Sequence, residues 1–149
     1  MPARDVHHDL VRRALVQDGW AITHDPYRLL WGEHIVYLDL GARELVTAEK
    51  DGRRIGVEIK SMGGRSQVTE LERALGQYLI YRSVLSRLDP ARRVYLAVPA
   101  VRYARTFDSE LGRLVNADYQ INYILYDPRQ EVIIRWIDST NSGPLSEPS

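Results

Sequence analysis

The 149-residue sequence predicts a single mixed α/β domain in which a central sheet is flanked by helices. Three observations carry that prediction. Apolar residues recur at helical spacing over residues 6–15, alternate with period two over 54–60, and return to helical spacing over 66–88. The pairs Asp18-Gly19, Asp25-Pro26, Asp51-Gly52, Asp89-Pro90 and Asp127-Pro128 punctuate these segments as turns or helix ends. Val94-Tyr-Leu-Ala-Val98 is almost unbroken in its apolar character, as a central strand covered on both faces should be.

The elements follow in order. Asp5 can cap a first helix whose stripe is Val6, Leu10, Val11, Ala14 and Leu15. Trp20-Ala-Ile-Thr23 reads as a short strand. Ile35-Val-Tyr-Leu-Asp-Leu40 and Leu45-Val-Thr-Ala-Glu-Lys50 read as two more. Asp51-Gly52 is a hairpin signal, because Gly tolerates positive φ and Asp tolerates it better than most residues. The return strand is Arg54-Ile-Gly-Val-Glu-Ile-Lys60. Its Ile55, Val57 and Ile59 face one way, and Gly56, Glu58 and Lys60 face the other. Met62-Gly-Gly-Arg65 is a loop, and Ser66 starts a long helix through about Leu88. Phe107, Leu111, Leu114 and Val115 mark a shorter helix, and 121–126 with 132–136 form a final hairpin. Residues 1–138 are read as one domain, and the Ser/Pro-rich stretch 139–149 as a disordered tail.

Composition narrows the function. Hydrophobic residues are 44% and charged residues 27%, which is globular. With no cysteine, disulfides, thiolate metal sites and a cysteine nucleophile are excluded. The N-terminal Met-Pro-Ala-Arg-Asp lacks the apolar core of a signal peptide, and no run is long enough to span a membrane. The expectation is a cytoplasmic protein without membrane contact. Lys+Arg and Asp+Glu are both 20, which counts against a tight general DNA binder but allows a local basic groove. Homo-oligomerisation is left open.

One constellation points to chemistry. Glu58 and Lys60 are two apart on a strand and share a face. Asp39 stands in an otherwise apolar run, where a lone charge is costly to bury. Two carboxylates at one sheet edge can hold Mg²⁺, or Mn²⁺ as the alternative, through oxygen ligands. A nearby Lys can orient water or stabilise phosphate charge. Gln77 and Tyr81 are four apart on the long helix and share a face that can turn toward that edge. His8 on the first helix and Glu49 before the Asp-Gly turn are further metal-ligand candidates, and Glu44 is a weaker one. His24 and His34 have no evident partners. The plain structural alternative for Glu58 and Lys60 is a solvated strand face. For Tyr81 it is packing, for Gln77 solvation, and for His8 packing or capping.

The set Asp39, Glu58-Ile-Lys60 and Gln77-Tyr-Leu-Ile-Tyr81 resembles the PD-(D/E)XK nuclease superfamily, whose core is restriction-endonuclease-like. Leu38, not Pro, precedes Asp39. More specifically, the chain resembles the XisH family of fdxN element excision controlling factors. That resemblance rests on Pro2-Ala-Arg-Asp5 with His8, Asp18-Gly-Trp20, Tyr37-Leu-Asp-Leu-Gly41, Ala48-Glu-Lys50, Val57-Glu-Ile-Lys-Ser61, Ala74-Leu-Gly-Gln77, Tyr95-Leu-Ala-Val-Pro99 and Trp136-Ile137. It implies a role linked to DNA rearrangement and a small partner protein of XisI type. The leading expectation is a Mg²⁺-dependent endonuclease-like DNA-processing factor. The alternative is a noncatalytic regulator that acts through its partner, with Tyr27 and Trp31 as exposed anchors.

Overall fold

The structure is a computed structural model and describes residues 5–32, 34–35 and 45–139. Asp39, Glu44 and the tail beyond 139 therefore lie outside the described residues.

The first helix, α1, is His8–Gln17. The strands are β1 (Ala21–His24), β2 (Leu30–Trp31), β3 (His34–Ile35), β4 (Val46–Lys50) and β5 (Arg53–Ile59). The long helix α2 (Gln67–Leu88) leads to β6 (Arg92–Pro99). A short helical stretch, Ala100–Arg102, widens into a π-helical turn, Tyr103–Phe107. Helix α3 (Glu110–Tyr119) and the hairpin β7 (Tyr123–Asp127) and β8 (Val132–Ile137) complete the chain. Six strands form one sheet in the order β1-β4-β5-β6-β7-β8, and β2-β3 is a separate ribbon. The β5–β6 and β6–β7 pairs are parallel, and the other pairs of the large sheet are antiparallel. The predicted mixed α/β class is thus observed.

Local chemistry explains the boundaries. Ser66 caps α2 by accepting the Thr69 N–H at 3.1 Å. Asp51 and Gly52 have φ of 51° and 79°, so both central residues of the β4–β5 turn lie in the left-handed region, the type I′ pattern that matches strand twist. Asp5 works two residues outside the expected cap position. Its Oδ1 accepts the His7 N–H at 2.9 Å, while His7 is the capping residue and uses no side chain to cap. The run that reads as a strand from Ile35 to Leu40 contributes only its first residue to a described strand. The helical stretch at Ala100–Phe107 was not predicted, because its Arg, Thr and Tyr residues break the apolar period.

Both faces of the sheet are covered. On one face Ile55, Val57, Ile59, Tyr95, Ala97 and Ile124 pack with Val11 and Leu15 of α1. On the other, Leu96, Val98 and Leu125 pack with Leu71, Ala74, Tyr78, Tyr81 and Leu85 of α2. Each such Val, Leu or Ile contributes about 1.5–3 kcal/mol. Tyr78 also fastens the layers through hydrogen bonds, its hydroxyl donating to Val94 O at 3.0 Å and accepting the Asn122 N–H at 3.1 Å. Among the described residues no helix is long and apolar enough to cross a membrane.

Candidate functional site

Glu58 and Lys60 sit at the carboxyl end of β5, on the face covered by α2. Gly56, two residues earlier, explains how the helix comes so close. A Cβ there would stand 3.5 Å from Leu85 Cδ1 and 3.6 Å from Leu45 Cδ1. At the other end of the helix Arg54 Nη2 donates to Asp89 Oδ2 at 2.7 Å. Helix and strand therefore run in step, with Asp89 on Arg54 and Leu85 on Gly56. Four helical residues advance about 6 Å and two strand residues about 6.6 Å. Tyr81 and Gln77 stand one and two turns before Leu85 on the same buried stripe of the helix.

The electrostatics are unusual for a strand face. Glu58 is fully buried at 0% exposure, and Lys60 Nζ lies 3.5 Å from its Oε2. Tyr81 is at 0% and Gln77 at 6% exposure. The solvated-face alternative for Glu58, and the solvated alternative for Gln77, are both overturned. The reason is that α2 buries the positions 71, 74, 77, 78, 81, 84 and 85, one continuous helical stripe in which Gln77 is the polar member.

The start of α1 reaches the same end of the sheet. Asp5 Oδ2 accepts the Ser61 N–H at 2.8 Å, directly after Lys60. His7 Nδ1 and Tyr126 Oη share a hydrogen bond at 2.8 Å, and the same hydroxyl lies 3.3 Å from Lys60 O. Burial raises the Tyr126 pKa, with the nearby Asp5 carboxylate adding to the rise.

His8 is buried at 1% exposure, and its Nε2 lies 2.7 Å from Asp25 Oδ1. Arg12 Nε stands 3.4 Å from the other Asp25 oxygen. The pairings Ala21 with Glu49 and Glu49 with Arg54 set the level of β1 against β5, and His24 reaches Gly56 through Thr47. Asp25, the next residue, is then close to the level of Glu58 but two strands away, about 10 Å. Glu49 is not brought to Glu58. It is half exposed beside Arg54, four residues down the strand, about 13 Å. His24 does have a partner, Thr47 Oγ1 at 3.2 Å. Of the two proposed anchors, Trp31 is exposed at 46%, but Tyr27 packs on the main core beneath the Arg92 guanidinium.

Sequence reasoning missed Asp25 and the Ser61 contact of Asp5. Asp25 carried no signal beyond a turn with Pro26, and its pairing with His8 spans 17 positions. Asp5 was visible as a helix-start residue but not as a tether to another strand.

This is an α/β domain with a mixed six-stranded sheet and a buried acid–lysine pair at the carboxyl end of a parallel strand. Comparison with known proteins gives it a family. The profile described as XisH protein matches residues 1–134, and the chain belongs to that family. A crystal structure of an XisH family protein from Nostoc punctiforme is 39% identical, with a TM-score of 0.81 over 90% of this chain and 100% of that one. A crystal structure of a fdxN element excision controlling factor protein from Anabaena variabilis is 36% identical, with a TM-score of 0.81 over 89% of this chain and 98% of that one. No curated protein matches. The family resemblance read from the sequence is borne out.

Proposed function

We propose that this chain is a metal-dependent DNA phosphodiesterase with a PD-(D/E)XK-type core, serving the excision of a DNA element. The observation that supports this most is the fully buried Glu58 carboxylate, 3.5 Å from Lys60 Nζ. Stability alone is a poor reason to keep such a pair, since well-packed apolar residues of like volume are often as stable or more so.

The donor set is oxygen, which suits a hard divalent cation, Mg²⁺ or alternatively Mn²⁺. Among the described residues no three His, Cys, Asp or Glu side chains gather as a metal site. In this reading Glu58 is therefore joined by Asp39. An ion held there supplies Lewis-acid charge against the phosphate and favours a hydroxide nucleophile. Lys60 holds the attacking water or a phosphate oxygen through its ammonium. Gln77 and Tyr81 hold the phosphate from the helix side. Asp5 and Tyr126 position Lys60 by holding both polar groups of the peptide that joins it to Ser61.

Cleavage of supercoiled, linear and branched DNA in Mg²⁺ or Mn²⁺ tests the reading. Activity in the parent chain that disappears in Glu58→Ala and Lys60→Ala is expected. Equal cleavage by either variant removes the assignment.

A second reading is a noncatalytic regulator that acts through a small XisI-type partner. It is favoured by the zero formal charge and by the exposed Leu30 and Trp31 of the β2–β3 ribbon. No cleavage with or without that partner, together with a stable complex of fixed ratio, selects it.

A further inference from the structure

Cations at the two ends of the sheet are treated differently. At the amino end of β5 and β6, Arg54 and Arg92 share Asp89, and Arg93 faces Asp138. At the carboxyl end, Arg65 follows β5, and Arg102 and Arg105 follow β6. None of these three forms an ion pair or side-chain hydrogen bond among the described residues. Arg65 and Arg105 are exposed.

Two of them flank one contact between elements. Thr106 Oγ1 donates to Gln67 Oε1, which ties the turn after β6 to the start of α2. Arg105 is the residue before Thr106, and Arg65 is two before Gln67. The Glu70 carboxylate lies against Gly64, next to Arg65, and two other acids of this end are engaged elsewhere. Asp108 pairs with Arg113 at 3.1 Å, and Asp127 Oδ1 accepts the Arg129 N–H at 2.8 Å. The amino end of the 22-residue α2, with its positive partial charge, points the same way. Guanidinium groups that no ion pair holds among the described residues are available to an anionic partner.

We infer that Arg65, Arg102 and Arg105 form a phosphate-tracking face for duplex DNA beside Glu58. Their role is to hold the backbone across the carboxyl ends of β5 and β6. This rests on the DNA-processing reading but not on catalysis. The guanidinium fork suits bidentate contact with phosphate oxygens.

The test is binding of the full chain to a short fluorescent DNA duplex, by anisotropy, over a range of salt and in the presence of a chelator. Each phosphate contact contributes about 0.9 to the slope of log affinity against log salt. The variant Arg65→Ala/Arg102→Ala/Arg105→Ala is expected to lower that slope by about 2.7. Arg87→Ala, at the far end of α2, is expected to leave it unchanged. A triple variant with the parent slope overturns the inference, as does a parent chain that does not bind duplex or prefers single strands or RNA. Because cleavage is absent by design, arginine-dependent binding alongside failed cleavage in Mg²⁺ removes the nuclease reading and keeps this one.

Discussion

The two ends of the sheet solve the problem of charge in opposite ways. At the amino end, one Asp89 carboxylate oxygen accepts from Arg54 at 2.7 Å and from Arg92 at 2.9 Å, while Arg92 also donates to Ile55 O at 2.9 Å. Arg54, Asp89 and Arg92 there satisfy one another. At the carboxyl end, a buried carboxylate sits with a lysine under a helix, and the arginines outside it are unpaired among the described residues. The same sheet and the same helix border both ends. The difference teaches that charge by itself does not mark a site. Charge that the fold leaves available does.

That contrast can be broken from either side. The largest effect is expected at the carboxyl end. Lys60→Ala should lower cleavage by about 10²–10³-fold, the loss typical of one preorganised charge donor. Glu58→Gln should abolish cleavage and, because it strands the largely buried Lys60 ammonium, should also lower stability in denaturant unfolding. A Glu58→Gln chain that stays folded and cleaves like the parent would make the pair purely structural. At the amino end the order reverses. Asp89→Ala strands the buried Arg92 and should cost about 3 kcal/mol in denaturant unfolding, with catalysis per folded molecule retained.

High pH sharpens the comparison along the core between the ends. Burial raises the pKa of Tyr78, Tyr95, Tyr123 and Tyr126 above the ordinary phenol value. In the unfolded chain these groups release protons near pH 10. The folded state holds its protons longer, so this contribution is intact below about pH 10 and is lost as pH rises beyond it. The melting temperature should fall as pH rises above about 10, and Tyr123→Phe should make the fall shallower. The smallest effect belongs to Ser66→Ala, which removes the α2 cap and should cost about 1 kcal/mol. A loss several times larger would show that the start of α2 is held mainly through Ser66.

Much of the architecture was legible because periodicity and turn chemistry are local. Asp51-Gly52, Ser66 and Asp89-Pro90 each state their role within a few residues. The pairing of Glu58 with Lys60 was legible for the same reason, since a strand puts alternate residues on one face. What was hidden is what depends on tertiary distance. The burial of Glu58 and Gln77 follows from α2 lying on the sheet over β6 and the edge of β5, which the long apolar stripe suggests but does not fix. The His8–Asp25 pair and the Asp5–Ser61 tether join segments far apart in the chain, and no pattern within either segment announces them. Asp39 was singled out by sequence alone, and its position is outside the described residues.

The matched step between α2 and β5 has a consequence for how the chain can change length. Each helical residue turns by about 100°. Deleting one residue between Tyr81 and Asp89, with Asp89 still pinned to two arginines, would swing Tyr81 and Gln77 off the buried stripe together. Loops elsewhere can gain or lose residues one at a time, but this stretch behaves like a toothed rack. Drift in length here is tolerated only in near-whole turns, so the spacing from Gln77 to Asp89 is a more demanding signature of the site than the identity of any one residue within it.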